Sequence, residues 1–205
     1  MSSTGEVDEV CQEIASGLRC PGSPPVWLGG RAWQVLDVVG TSRALLLADR
    51  VVARRPYHKK QVPITWEECD LRRWLNDEFR MSLGEPLASR ALTVKVHNEP
   101  SPAWGTDGGE DTDDRFFLLS AREAAIYFTG AEPSTWDEYC EVPRLGARGI
   151  AIDERGRRVW WWLRSPGRTL VHAAYVLHVG DLIVGGRTVS SSAGVRPAFW
   201  LNLCP

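Results

Sequence analysis

Four histidines, His58, His97, His172 and His178, are the side chains best suited to hold a metal or serve as a general base. None stands in an HExxH or Cys/His spacing that does so. His172 and His178 have only Asp181 nearby as a further ligand and read as surface positions. A serine nucleophile calls for a GxSxG elbow, which is absent, and the run Ser190 to Ser192 reads as loop surface. Gly29-Gly30 and Gly185-Gly186 lack the GxxxxGK[ST] spacing that cradles a phosphate. Cys11, Cys20, Cys69, Cys140 and Cys204 are odd in number, form no CxxC pair and read as buried free thiols. Arg164 and Arg196 sit in aromatic and proline-containing surroundings where an anion could be held. The favoured reading is structural, each guanidinium forking onto backbone carbonyls or carboxylates. No catalytic residue, metal or cofactor is expected.

The elements around these residues follow from hydrophobic spacing. Val7, Val10, Cys11, Ile14 and Leu18 predict an amphipathic helix over 6–18, an appendage or docking helix before the Cys-Pro-Gly-Ser-Pro-Pro break. Residues 1–25 are therefore set apart from a domain over 26–205. Residues 31–39 and 44–48 predict a hairpin. Thr65 is placed to cap a helix with Leu71, Trp74, Leu75 and Phe79 on one face. Residues 98–114 read as a long exposed loop whose acids are solvated, since the regular ligand spacing of a calcium loop is missing. Phe116 to Leu119 reads as a buried strand, and Ser120 with Glu123 as a capping box opening a helix that ends near Gly130. Val159 to Arg164 predicts a strand covered on both faces, and Gly194 to Leu201 the last strand. Helices interleave irregularly with short strands, so the fold class is α+β.

At 205 residues and 43% hydrophobic content, one sizeable core is available. A formal charge of -2 offers no general attraction for phosphate backbones, so nucleic acid is not the expected partner. No apolar stretch approaches the roughly twenty residues of a membrane span, and no signal peptide is legible. The expectation is a cytoplasmic or phage-particle-associated protein. Its oligomeric state is left open, a monomer being compatible.

Residues 168–193 follow a different logic, with small or apolar anchors alternating with clusters of arbitrary chemistry. Met, Trp, Gln, Lys and Glu occur 32 times in the chain and never in this segment. Even scatter would place about four or five there. Those five are the amino acids that no codon ending in cytosine encodes. Randomising both adenines of AAC codons never yields them, and yields no stop. Every residue in the clusters belongs to the reachable set. The competing explanation is that turn-rich hairpins avoid Lys, Glu and Gln in any case.

Four tracts then carry a resemblance: Thr65-Trp-Glu-Glu-Cys-Asp-Leu-Arg-Arg-Trp-Leu-Asn76, Phe117-Leu-Leu-Ser-Ala-Arg-Glu123, Trp161-Trp-Leu-Arg-Ser-Pro-Gly167 and Gly194-Val-Arg-Pro-Ala198. From Trp33 to Leu203 the chain resembles a bacterial family of uncharacterised domains, some of them variable proteins of diversity-generating retroelements. The resemblance implies a C-type lectin-like fold of mixed short strands with two or three helices. It also implies a segment rewritten by adenine-specific mutagenic reverse transcription, and a non-enzymatic role in binding an unknown protein or cell-surface ligand. The positions it assigns to ligand binding are Arg168, Thr169, Leu170, Val171, His172, Tyr175, Leu177, His178, Val179, Asp181, Ile183, Val184, Gly185, Arg187, Thr188, Ser190 and Ser191, with Ser192 and Ala193 at the edge. Tyr175 leads the candidate hot spots, ahead of Arg168, Arg187 and the two histidines. Two other functions stay open. A fixed lectin-like carbohydrate module would need the EPN or QPD and WND tripeptides, which are absent. A relative of the formylglycine-generating enzymes would need paired C-terminal cysteines, where only Cys204 lies.

Overall fold

The computed structural model describes residues 4–130, 132–133 and 144–204. Cys140 lies outside them. The chain forms an α+β structure whose first helix, α1 (Thr4–Ala15), turns Val7, Cys11 and Ile14 into the main core. Arg90 ion-pairs with Asp8, and the Cys11 thiol reaches the Asn202 carbonyl at 3.6 Å. This helix is packed onto the body and is no free appendage. It also ends earlier than its spacing predicts, leaving Leu18 exposed.

Two sheets share the work. The first runs β1 (Val26–Leu28), β2 (Arg31–Val39), β3 (Arg43–Ala48) and β13 (Ala198–Asn202), all antiparallel neighbours. The expected hairpin is therefore present, and it pairs with the last strand of the chain. The second sheet has the order β11 (Leu182–Thr188), β10 (His172–Val176), β9 (Trp161–Pro166), β12 (Ser192–Val195), β4 (Ala53–Pro56). Between them come the short pairs β5 (Val94–Val96) with β6 (Thr112–Asp114) and β7 (Ala151–Ile152) with β8 (Arg158–Val159).

The predicted last strand is split in two because Arg196-Pro197 carries the chain from one sheet to the other. Proline has no N–H for a ladder, and the Pro197 carbonyl instead accepts from Ala48 N at 2.9 Å. Arg196 is fully buried at this crossing. Its Nε donates to the Ala48 carbonyl at 2.9 Å, Nη1 reaches the Arg148 and Gly149 carbonyls, and its guanidinium lies 4.9 Å above the Trp161 ring. Burial draws its pKa down to about 10, which still leaves it charged at neutral pH.

The helix expected from Thr65 starts later. Cys69 is the N-cap, its thiol accepting from Arg72 N at 3.4 Å, and burial pushes that thiol up to about 12. From there α2 (Asp70–Trp74) passes through a π-helical turn, Leu75–Phe79, into α3 (Arg80–Ser82), with α4 (Glu85–Ala88) following. Trp66 Nε1, Arg72 Nε and Asn76 Nδ2 all donate to the carboxylate of Asp114, as does Thr112 Oγ1 at 2.8 Å. Asn76 also takes Arg115 N and Phe116 N on its Oδ1. The run Phe116 to Leu119 is buried as expected, but only a single bridge, Phe117 to Ala198, makes it strand-like.

The capping box is present at α5 (Ala121–Thr129), where Ser120 Oγ accepts from Glu123 N and Glu123 accepts from Ser120 N. Gly130, at φ 74°, ends the helix in the left-handed conformation. Glu123 also grips Arg164, whose Nη1 donates to the Leu118 carbonyl and Nη2 to the His97 carbonyl. Ser165 Oγ accepts from Ala121 N at 2.9 Å. Both arginines thus have the forked structural geometry that their sequence surroundings suggest. Of the four described cysteines, all free thiols, Cys11 and Cys69 are buried while Cys20 and Cys204 are exposed, which corrects the expectation of burial throughout.

Asp114 tests this account of the polar hub. Asp114→Ala leaves three donors and the Arg72 charge without their acceptor and is expected to lower stability by about 3 kcal/mol. Glu68→Ala, at an exposed position, is expected to change it by less than about 0.5 kcal/mol. Urea unfolding of both variants decides it, and equal midpoints would refute the hub.

Candidate functional site

The segment 168–193 forms a loop, the hairpin β10–β11 and a turn into β12, at one edge of the second sheet. Burial divides it largely along the line between anchors and clusters, with Leu182 and Gly186 as half-buried anchors. Ala173, Ala174, Val176, Gly180 and Val189 are buried. Arg168, Thr169, His178, Arg187 and Ser190 are exposed, whereas Leu170, Val171, His172, Tyr175, Leu177, Val179, Asp181, Ile183, Gly185, Thr188 and Ser191 are half-buried. Val184 departs from the pattern, being 4% exposed within the core, and at the edge Ser192 is exposed while Ala193 is buried. The structure therefore brings all the candidate positions except Val184 and, at the edge, Ala193 to the surface.

The scaffold holds this segment through main-chain atoms. Gly167 N donates to the His172 carbonyl at 2.8 Å and Arg168 N to the Gly185 carbonyl at 3.1 Å. Val189 N reaches the Val171 carbonyl, Ile64 N the Leu170 carbonyl, His58 N the Val189 carbonyl and Leu145 N the Gly180 carbonyl, each at 3.0 Å. Among the described residues, the candidate positions make only two side-chain hydrogen bonds, Thr169 Oγ1 with His172 Nδ1 at 2.8 Å and Arg144 Nε to Asp181 Oδ1 at 2.9 Å. His172 and Asp181 are thus separately engaged and do not converge as ligands. Because main-chain bonds do not depend on side-chain identity, side chains here can change while the path of the chain persists.

Glycine geometry sharpens the division. A Cβ on Gly167 would lie 2.7 Å from the Gly185 carbonyl oxygen, and one on Gly186, at φ +77°, 2.8 Å from that of Ala173. Both positions demand glycine. A Cβ on Gly185 would instead meet the tip of the Trp104 ring at 3.2 Å, and Trp104 is 44% exposed. The β10–β11 register slips here, Ala173 pairing with Arg187 and Tyr175 with Ile183, so β11 carries a bulge over Val184 to Gly186.

Tyr175 stands on an aromatic floor. Its ring packs edge-on against Trp160 at 5.3 Å and Trp162 at 6.5 Å, and the Arg187 guanidinium lies 5.1 Å from the Trp160 centroid. Trp160 and Trp104 are surface contributors that the reading of residue types missed. Trp160 could have been inferred, since it shares a strand face with Trp162 through the alternation of residues i and i+2. Trp104 could not, because its position depends on a loop that folds back.

That loop is built rather than loose. Asn98 is buried, donating from Nδ2 to the Glu110 carbonyl at 2.7 Å, and Asn98 N donates to Asp111 Oδ1. Ser101 N bonds the Thr106 carbonyl, and β6 occupies its end, so the expectation of a wholly exposed loop is corrected. Among the described residues no group of three or more His, Cys, Asp or Glu side chains is placed to hold a metal ion, and no helix is long and apolar enough to cross a membrane. A depression of about 470 Å³, lined by Arg73, Asp77, Arg80, Asp113 and Arg115 among others, includes none of the candidate positions. Of its arginines, Arg72 pairs with Asp114 and Arg73 with Asp70, while Arg80 donates to the Asn76 carbonyl and Arg115 to the Thr93 hydroxyl.

Residues 41–203 match the family model described as a domain of unknown function, DUF6273. No curated protein and no solved structure matches the chain.

Two measurements test the geometry. Gly186→Ala is expected to cost about 2 kcal/mol or more in urea unfolding, and Gly185→Ala less than about 1 kcal/mol, the latter shifting the Trp104 indole resonance instead. Equal costs would contradict the division into fixed and tolerant positions. Burial, then the Arg168 charge, lowers the His172 pKa below 6.5. The folded chain therefore favours neutral His172, and this contribution to stability is present above the unfolded pKa and lost as pH falls through the folded value. In NMR titration, Arg168→Gln should move the His172 midpoint upward; no movement would exclude that coupling.

Proposed function

This chain belongs to the DUF6273 family, and from that premise we propose that it is a non-enzymatic recognition protein whose surface over 168–191 has been diversified by adenine-specific mutagenic retrohoming. One observation carries the reading. The clustered candidate positions of 168–191 lie at the surface, with the single exception of Val184, while five of the seven interspersed positions, Ala173, Ala174, Val176, Gly180 and Val189, are buried and the other two, Leu182 and Gly186, are half-buried. Burial alternates along any half-buried hairpin, so the support that is particular to diversification is the absence of Met, Trp, Gln, Lys and Glu from the outward positions, where long polar side chains are ordinarily common.

The form of the surface supports a macromolecular ligand. It is a sheet edge with half-buried aliphatic and aromatic groups and exposed arginines, whereas small-molecule sites are concave and enclosed. Tyr175 on Trp160, with Arg187 beside it, has the composition of an interface hot spot. The C-type lectin-like fold is part of the same proposal. It is supported by the pairing of β13 with the β2–β3 hairpin, which gives a fixed base, and by a second sheet that displays the diversified segment.

The gene and its flanking few kilobases test this reading. Codons ending in cytosine at the clustered positions, a second partial copy differing only where it carries adenine, and an adjacent reverse transcriptase gene are the expected findings. Mixed third bases with no such copy would remove diversification and leave 168–193 an ordinary hairpin.

A further inference from the structure

We infer that this surface, in the sequence it carries here, recognises a protein partner through a discrete acidic patch on that partner. The inference rests on the recognition role proposed above and adds the chemistry of the ligand. The chain as a whole carries a charge of -2, yet its diversified segment contains Arg168 and Arg187, both exposed, against one acid. That acid, Asp181, is already bound by Arg144 at 2.9 Å. The segment 57–64 runs alongside, tied by the bonds from His58 N to Val189 and from Ile64 N to Leu170, and contributes exposed Lys59 and Lys60; its one close carboxylate, Asp70, is half-buried and engaged by His58 and the Lys59 main chain.

The two arginines retain their donors. Among the described residues neither makes an ion pair or a side-chain hydrogen bond, and the contact with Trp160 orients Arg187 without using its N–H groups. A carboxylate can therefore be gripped by a guanidinium whose position is partly set in advance, which reduces the ordering cost of binding. Leu170, Val171 and Ile183, half-buried beside these cations, add the apolar area of a protein interface.

A continuous polyanion fits less well. The 98–111 loop meets this surface at two places, Trp104 against Gly185 and Gly109 against Thr65 next to Ile64. It brings exposed Asp107 and Glu110 to the rim. A nucleic acid or sulfated glycan tracking across the face would run into that negative rim, whereas a compact acidic patch can sit within it.

Panning a random peptide display library on the intact protein reads the ligand class directly. Enriched peptides should be rich in Asp and Glu together with aliphatic or aromatic residues. Their binding should weaken at least tenfold in Arg168→Gln/Arg187→Gln and fall with added salt, while the thermal midpoint of the double variant stays unchanged. Peptides that need Tyr175 but are neutral or basic, and ignore the double substitution, would overturn the acidic-partner inference and leave the recognition role standing. Retention on heparin at physiological salt that is lost in the double variant, with no acidic peptides enriched, would overturn it in favour of a polyanion. If no enriched peptide depends on Tyr175, Arg168 or Arg187, the recognition role itself fails together with the inference.

Discussion

The buried guanidinium of Arg196 is the constraint on which the two-sheet arrangement depends. It sits where the chain leaves β12 for β13, and its donors reach the end of β3 and the backbone before β7, while its plane covers Trp161 of β9. Trp161 Nε1 in turn donates to the Gly149 carbonyl at 3.0 Å, so the same backbone turn anchors both partners. A cation buried this way is costly unless it is held by polar and aromatic partners, and Arg196 needs two elements for its hydrogen bonds and a third for its ring contact, with Nη2 left without a partner among the described residues. The crossing therefore locks the first sheet to the second in one geometry. Gly194 adds to it, since a Cβ there would lie 2.4 Å from Val51 Cγ1 and 3.0 Å from the Trp160 carbonyl oxygen.

From that crossing, stability and display are kept apart. Tyr57, Trp66 and Trp162 form a packed aromatic series that leads from Asp114 and its donors to the floor beneath Tyr175. Tyr57 also donates its hydroxyl to the Arg164 carbonyl at 2.9 Å, tying the series to β9. These are all residues outside 168–193. The segment itself contributes its main chain and a few small buried anchors, so replacing its outward side chains removes little core area. Val184 is the exception, and a polar residue there would be buried without a partner.

Much of the arrangement was legible in residue order, for reasons that differ from element to element. The capping box at Ser120 and the end at Gly130 were readable because both are local hydrogen-bond chemistry within a few residues. The β2–β3 hairpin was readable from two apolar runs separated by a short turn. The start of the second helix was not, because Thr65 looks like a cap and only tertiary packing gives that role to the thiol of Cys69. Nor was the division of the last strand, since a proline in a strand signals an interruption but not a change of sheet.

For the candidate site the division is sharper. The sequence by itself determined that Met, Trp, Gln, Lys and Glu are missing from 168–193, because a pattern of residue types needs no coordinates. It also showed which small residues interrupt the clusters, and that motif arginines in rigid surroundings suit structural forks. Only the tertiary structure decided that most of the interruptions are buried, that Val184 points inward, that α1 belongs to the core, and that Trp104, Lys59 and Lys60 border the surface. Each of these depends on contacts between residues far apart in the chain, where packing and long-range main-chain pairing outweigh local preference.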